Sequence, residues 1–183
     1  EMVAEGITHV VMEVSSHALE LKRVVGCQFD VGVFTNLTQD HLDFHGDMES
    51  YLSAKLKLFQ ALDGGPGGKA GPRGAVVNLD DPAGARVASA SRAPVVSYGL
   101  GPGVSVRAVD PVVDAAGVGY LLRYPGGEVP VRLRLTGRFN VYNSLAAAGV
   151  GLLEGISAEQ VARGLEELPG VAGRFEKVDA GQP

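Results

Sequence analysis

Two runs of β-branched residues constrain the fold more than any other feature of the chain. Thr8-His9-Val10-Val11-Met12-Glu13-Val14 and Val31-Gly32-Val33-Phe34-Thr35 are continuous rather than alternating, and each closes on polar side chains, Ser15-Ser16-His17 and Asn36. Strands of that kind are buried on both faces, as in a parallel sheet covered by helices. From Glu49 to Leu62 the apolar residues recur at helical spacing, which predicts an amphipathic helix. Strand, helix and strand in succession is the grammar of an α/β fold. Ala75-Val76-Val77-Asn78 and Val95-Val96-Ser97-Tyr98 add two short strands, joined by a helix from about Pro82 to Ser91. Gly64 to Gly74, with six glycines and two prolines, reads as a loop.

The pattern then changes. Val104 to Asp110, Val118 to Tyr124 and Val129 to Leu135 alternate apolar and polar residues between Gly/Pro turns, as a small antiparallel subsheet does. Asn140 to Leu153 and Ala158 to Leu168 read as helices, the second with Ser157 as N-cap, ahead of a last segment, Gly173-Arg174-Phe175-Glu176. The expected fold is α/β, a mostly parallel sheet with an antiparallel subsheet at about 104–135.

Composition removes several classes of function. A net charge of -5 without a Lys/Arg-rich run argues against nucleic acid as a partner, because phosphate neutralisation needs concentrated positive charge. No apolar stretch approaches the roughly 20 residues of a membrane span, and the opening lacks the pattern of a secretion signal. The single cysteine, Cys27, forms no internal disulfide and is expected to be a small buried hydrophobe, which fits a cytoplasmic setting.

The densest chemistry lies in Asn36-Leu37-Thr38-Gln39-Asp40-His41-Leu42-Asp43-Phe44-His45-Gly46, after a strand and before a helix, where open α/β sheets place ligand crevices. Imidazole and carboxylate together suit a divalent ion, and Glu13 at the end of the other strand would reach the same crevice if the two strands are adjacent. The plainer alternatives are that Asp40 or Asp43 caps the next helix and that His45 lies on the surface. Lys55, one turn after Tyr51, is by position an ordinary solvated charge. Buried beside a metal crevice, it would instead favour the neutral amine, which takes up carbon dioxide as a carbamate.

Glu13-Val14-Ser15-Ser16-His17, the Phe34 to Gly46 segment, Tyr51 and Lys55 together closely resemble the Mur ligases that add the third residue to the peptidoglycan stem peptide. Asn78-Leu79-Asp80-Asp81-Pro82, Leu135 to Ala147 and Gly173 to Glu176 follow in the family's order, so the resemblance covers nearly the whole chain. It implies that ATP phosphorylates the carboxylate of UDP-N-acetylmuramoyl-L-alanyl-D-glutamate, and that the amine of a diamino acid, meso-diaminopimelate or L-lysine, attacks the acyl phosphate. By the same resemblance Glu13 and His41 bind Mg2+, and Lys55 is the carbamylated lysine that holds a second Mg2+. Ser15 and Arg23 contact the UDP-muramoyl peptide, and Asn140, Asn143 and Arg174 contact the nucleotide. Glu13, His41 and Lys55 are thus the expected catalytic set.

Two departures stand out. Leu21 occupies the place of a glutamine common in the family, and no G-x-x-x-x-G-K-[ST] phosphate loop occurs in the chain. The resemblance thus implies an incomplete doubly wound sheet, with residues 1–178 forming part of the central domain and 179–183 beginning a linker, and the chain is expected to be an inactive central-domain piece of the ligase. The competing readings are a non-catalytic nucleotide-binding module of the same fold and a metallohydrolase built on Asp40, His41, Asp43 and His45.

Overall fold

The computed structural model describes residues 2–38, 45–62 and 73–169. Six strands lie in sequence order in one sheet: β1 Val31–Phe34, β2 Gly74–Asn78, β3 Val95–Gly99, β4 Val106–Asp114, β5 Gly117–Tyr124 and β6 Gly127–Leu133. The first four run parallel, and β5 and β6 pair antiparallel. The expected antiparallel strands are present, but they extend the parallel sheet through β4 rather than standing beside it. Tyr98 and Gly99 of β3 pair with Val106 and Arg107. The β4–β5 register breaks between Val109 and Val112, where Asp110 adopts φ 48° and Pro111 offers no N–H to the ladder.

Five helices complete the described residues: α1 Ser16–Glu20, α2 Met48–Gln60, α3 Gly84–Ala90, α4 Arg138–Leu153 and α5 Ala158–Glu167. Every residue of β2 is buried, and its pleat sends neighbouring side chains to opposite faces. Val76 joins Tyr98, Leu122 and Val131 against Val141 and Leu145 of α4 and Val161 of α5. Ala75 and Val77 join Phe34 against Leu52 and Phe59 of α2 and Val87 of α3. Helices cover both faces, as the fold class requires. Among the described residues no helix is long and apolar enough to cross a membrane.

The helix starts follow local chemistry. Asp47 caps α2, its carboxylate accepting from Ser50 N at 2.7 Å; Asp40 and Asp43 lie outside the described residues. Ser157 caps α5 as expected and forms a reciprocal capping box with Gln160. The 64–72 loop, the Gly173 to Glu176 segment and 179–183 also lie outside the described residues.

Two expectations are corrected. Thr8 to Val14 is no buried strand: it pairs with nothing among the described residues, and Val10 and Val11 are 64% and 99% exposed. Backbone groups need a paired neighbour before a strand of this composition is buried, and β1 is paired on its β2 side alone among the described residues. Cys27 is exposed, not buried: it directly follows a turn at Gly26, φ 93°, ahead of β1.

The Ser144 hydroxyl donates to the Val141 carbonyl at 2.8 Å, so the buried Tyr120 hydroxyl, 2.7 Å away, donates to Ser144. Burial pushes the Tyr120 phenol up to about 12, with Ser144 partly offsetting it. Below pH about 10 both folded and unfolded chains hold the proton; between about 10 and 12 only the folded chain does, so rising pH costs stability there. We expect Tyr120→Phe to lose about 1 kcal/mol at neutral pH. Its further loss between about pH 8 and 11 should be smaller than that of the unsubstituted chain by about 1.4 kcal/mol, read by urea unfolding.

Candidate functional site

The C-terminal ends of the parallel strands meet in a network of side-chain to backbone hydrogen bonds. Asn78, which ends β2 and is 6% exposed, donates through Nδ2 to the Thr35 carbonyl at 2.8 Å and accepts from Asp80 N at 3.0 Å. The Tyr98 hydroxyl donates to the Phe34 carbonyl at 3.1 Å. Burial, helped by the nearby Asp81 carboxylate, pushes the Tyr98 phenol well above its ordinary range, so it remains a donor. Asp81 accepts from Leu37 N at 2.9 Å through one oxygen and from Ala83 N at 2.8 Å through the other. The chain leaving β1 is thus fastened to the turn after β2.

That turn packs against its own helix. A Cβ on Gly84 would lie 2.0 Å from the Asn78 carbonyl oxygen, so only glycine lets α3 start there. On the other side, Asp80 accepts from Leu100 N at 2.6 Å and from the Tyr142 hydroxyl at 3.1 Å. Tyr142 stands on α4 between Asn140 and Asn143. Gly137, at φ 98°, precedes this helix without a side-chain cap, a backbone shape that glycine adopts readily. Asn140 is 7% exposed; it donates back to the Thr136 carbonyl at 2.8 Å and accepts from Asn143 Nδ2 at 3.1 Å. These bonds of Asn140 hold the helix start. Asn143, which is exposed, keeps a carbonyl oxygen and a second amide hydrogen to offer a ligand.

A second cluster joins α1 to α2. Ser15 caps α1, its hydroxyl accepting from Ala18 N at 3.1 Å. Helix α1 closes with Lys22 at φ 56°, Arg23 N reaching the Ala18 carbonyl at 2.8 Å and Lys22 N the Leu19 carbonyl at 3.2 Å. This pair of bonds is a Schellman motif, and it fixes the backbone at Arg23. The Ser16 hydroxyl, in a residue 1% exposed, lies 2.8 Å from His45 Nε2. The His45 ring stacks on Tyr51 at 5.1 Å, and Lys55 Nζ sits 5.0 Å from the centre of the same Tyr51 ring. A cationic ammonium is favoured over that aromatic face. Beside the cluster is a shallow groove of about 460 Å³ lined by Glu20, His45, Glu49, Ser50, Ser53 and Lys57. Lys57 pairs with Glu20 at 2.5 Å and holds that carboxyl below its usual range.

Comparison with known proteins assigns these residues to a family. The family model described as the Mur ligase middle domain matches residues 1–151. The chain belongs to the Mur ligase family. It is 52% identical over 179 residues to the UDP-N-acetylmuramoyl-L-alanyl-D-glutamate--2,6-diaminopimelate ligase of Geobacter metallireducens, covering 98% of this chain and 35% of that protein. Against the ligase of the same name from Geobacillus kaustophilus it is 48% identical over 182 residues, covering 100% of this chain and 37% of that protein. A solved structure of a ligase with this name superposes with a TM-score of 0.76 at 30% identity, covering 88% of this chain and 32% of that one. The chain therefore spans little more than a third of the length of the curated relatives it matches, 35% and 37%.

Within this Mur ligase domain the residues expected from the sequence fall into separate groups. Asn140 and Asn143 are brought together at the start of α4, and Ser15 and Arg23 bracket α1. Lys55 is half-buried on α2, and Glu13 is exposed in the irregular segment before α1. His41 and Arg174 lie outside the described residues. Among the described residues no three His, Cys, Asp or Glu side chains group as metal ligands. His45 is no plain surface residue, being half-buried between Ser16 and Tyr51. Sequence reasoning gave no role to Ser16, Tyr98 or Tyr142 and read Asn78 to Asp81 only as one segment of the family resemblance. The signal for the last was an Asx turn, Asn-x-Asp-Asp-Pro, directly after a fully buried strand.

Removing either partner of the Ser16 and His45 bond leaves the other polar group without it in a half-dry site. Ser16→Ala and His45→Ala should each cost about 1–2 kcal/mol in urea unfolding. The double variant should cost less than their sum, because both remove the same bond.

Proposed function

We propose that this chain is the central domain of an ATP-dependent ligase that joins 2,6-diaminopimelate to UDP-N-acetylmuramoyl-L-alanyl-D-glutamate. The observation that carries this reading is identity of 52% across 98% of the chain to a ligase of that name. The position of the polar network at the carboxyl ends of parallel strands, where α/β sheets bind ligands, supports it. The reaction serves peptidoglycan precursor synthesis, and its soluble nucleotide substrates put it in the cytoplasm, with no role for nucleic acid or membrane. Residues 1–178 are assigned to this central domain and 179–183 to a linker.

In this reading Asn140 sets the start of α4, and Asn143, together with Arg174, binds ATP. Ser15 and Arg23 hold the UDP-muramoyl peptide: the Ser15 oxygen that caps α1 keeps its own hydrogen to donate, and the guanidinium suits a carboxylate or phosphate. Glu13 and His41 would hold Mg2+. Lys55 would contribute once its neutral amine had added to carbon dioxide, forming an N–C bond and releasing a proton, which would turn a cation into an oxygen donor. The oxygen-rich donor set suits Mg2+, and the position of Lys55 over Tyr51 is that of the uncarbamylated cation. Bound Mg2+ would neutralise phosphate charge during phosphoryl transfer. The chain's own groups orient the carboxylate and nucleotide, so that attack by the diamino acid expels phosphate from the acyl phosphate and leaves an amide.

The test is phosphate release dependent on ATP, the UDP-muramoyl dipeptide and diaminopimelate. In a full-length ligase carrying this chain, Lys55→Ala should lower kcat by about 100-fold or more, the range for loss of a charged group acting on the transition state. The 183-residue chain alone, which contains no G-x-x-x-x-G-K-[ST], should release no phosphate above its Lys55→Ala variant. Turnover by the chain alone would refute that second expectation, and an unimpaired Lys55→Ala ligase would refute the first.

A further inference from the structure

Helix α1 is five residues long, too short to hold its own shape in water, and apolar packing does little to seat it. Ser16 is its one buried residue, and neither hydrophobic cluster takes a residue from it. The segment before it pairs with nothing among the described residues, and the next residue along the chain packed against a core cluster is Phe29. What seats α1 on α2 is polar. At its first residue the Ser16 hydroxyl lies 2.8 Å from His45 Nε2; at its last, Glu20 pairs with Lys57. The second link is solvent-exposed on both sides, and exposed ion pairs contribute little. The first involves a residue 1% exposed, so it decides the position. His45 is itself held in place. Its ring stacks on Tyr51 at an interplanar angle of 22°, Tyr51 is buried on α2, and the His17 ring of α1 lies 5.5 Å away on a tilt of 59°.

We propose that Ser16 and His45 are positioning residues for the UDP-muramoyl peptide: their bond seats α1 on α2 and so sets where Ser15 and Arg23 meet that substrate. The inference rests on the ligase reading above. Ser15 caps the start of α1, one residue before the bond. Arg23 is tied to its end through Arg23 N and the Ala18 carbonyl. Both contacts therefore move with α1. When the bond is lost, α1 spends part of its time unseated, and substrate binds only the seated fraction. Apparent affinity falls by that fraction, while bound substrate restores the seat, so the rate at saturation is kept. A fault in folding alone has the opposite signature, because it lowers the active fraction and with it kcat, leaving every KM unchanged.

The experiment measures phosphate release by a full-length ligase carrying this chain, varying the UDP-muramoyl dipeptide and ATP in turn. Ser16→Ala and His45→Ala should each raise the KM for the dipeptide about 10-fold, as for a seated fraction of about a tenth, leaving kcat and the ATP KM within about 2-fold. The double variant should go no further than the larger single change, because one bond is lost in all three. His45→Gln, whose amide can still bond the Ser16 hydroxyl, should stay within about 3-fold of the unsubstituted enzyme. A fall in kcat with the dipeptide KM unchanged, a rise in both KM values, or no change in either overturns the proposal. Seating is read separately in the 183-residue chain: amide exchange at Leu19 and Arg23 should speed up about 10-fold in Ser16→Ala while Val76 and Val77 keep their protection. Unchanged exchange at Leu19 and Arg23 overturns the proposal whatever the kinetics. An unsubstituted ligase that releases no phosphate with diaminopimelate overturns the functional reading, and the substrate role of the bond with it, while faster exchange in Ser16→Ala would still show the seating.

Discussion

The pleat of β2 is the constraint from which the rest of the domain follows. Five consecutive residues, Gly74 to Asn78, are all buried, so the strand needs a helical layer on each face and a paired strand on each edge. Val76 supplies the contact for α4, and Ala75 and Val77 supply the contact for α2 and α3. Because the strand runs parallel to β1 and β3, its carboxyl end lies beside theirs, and Asn78 meets Thr35 and Asp80 there. The site is built where the sheet's hydrophobic demand stops and its polar bonding begins.

The elements whose identity depends on their own residues were legible in the sequence. Val31 to Phe34, Met48 to Gln60 and Arg138 to Leu153 differ from their expected bounds by two residues or fewer. Ser157 with Gln160 gave the start of α5 outright, since a capping box is a local bond pair. The antiparallel strands were equally visible, but their attachment to the main sheet was not: the short ladder of Tyr98 and Gly99 with Val106 and Arg107 depends on a contact that no alternation pattern encodes.

Where the reading failed, the missing information was an environment. Thr8 to Val14 has the composition of a buried strand, and burial requires a partner that composition does not supply. Cys27 has the habits of a core residue, yet its position is set by the turns around Lys22 and Gly26. For the candidate site, a family resemblance named Glu13, His41 and Lys55, and nothing in that resemblance predicted that Tyr51 would stand between His45 and Lys55. The fastening of Leu37 to Asp81 spans 44 residues, a separation at which sequence pattern carries no signal about which donor meets which acceptor.

Gly84 shows how the domain ranks its parts. It opens a helix of seven residues, where alanine would be the better helix former by about 1 kcal/mol. The Asn78 carbonyl oxygen leaves no room for a methyl group, so substitution there is closed to every other residue. The local helix is weaker than it could be in exchange for a turn held at fixed distance from β2. A stabilising design that improved the helix by its own propensities would therefore displace the turn whose Asp81 and Asp80 carboxylates bond Leu37, Leu100 and Tyr142.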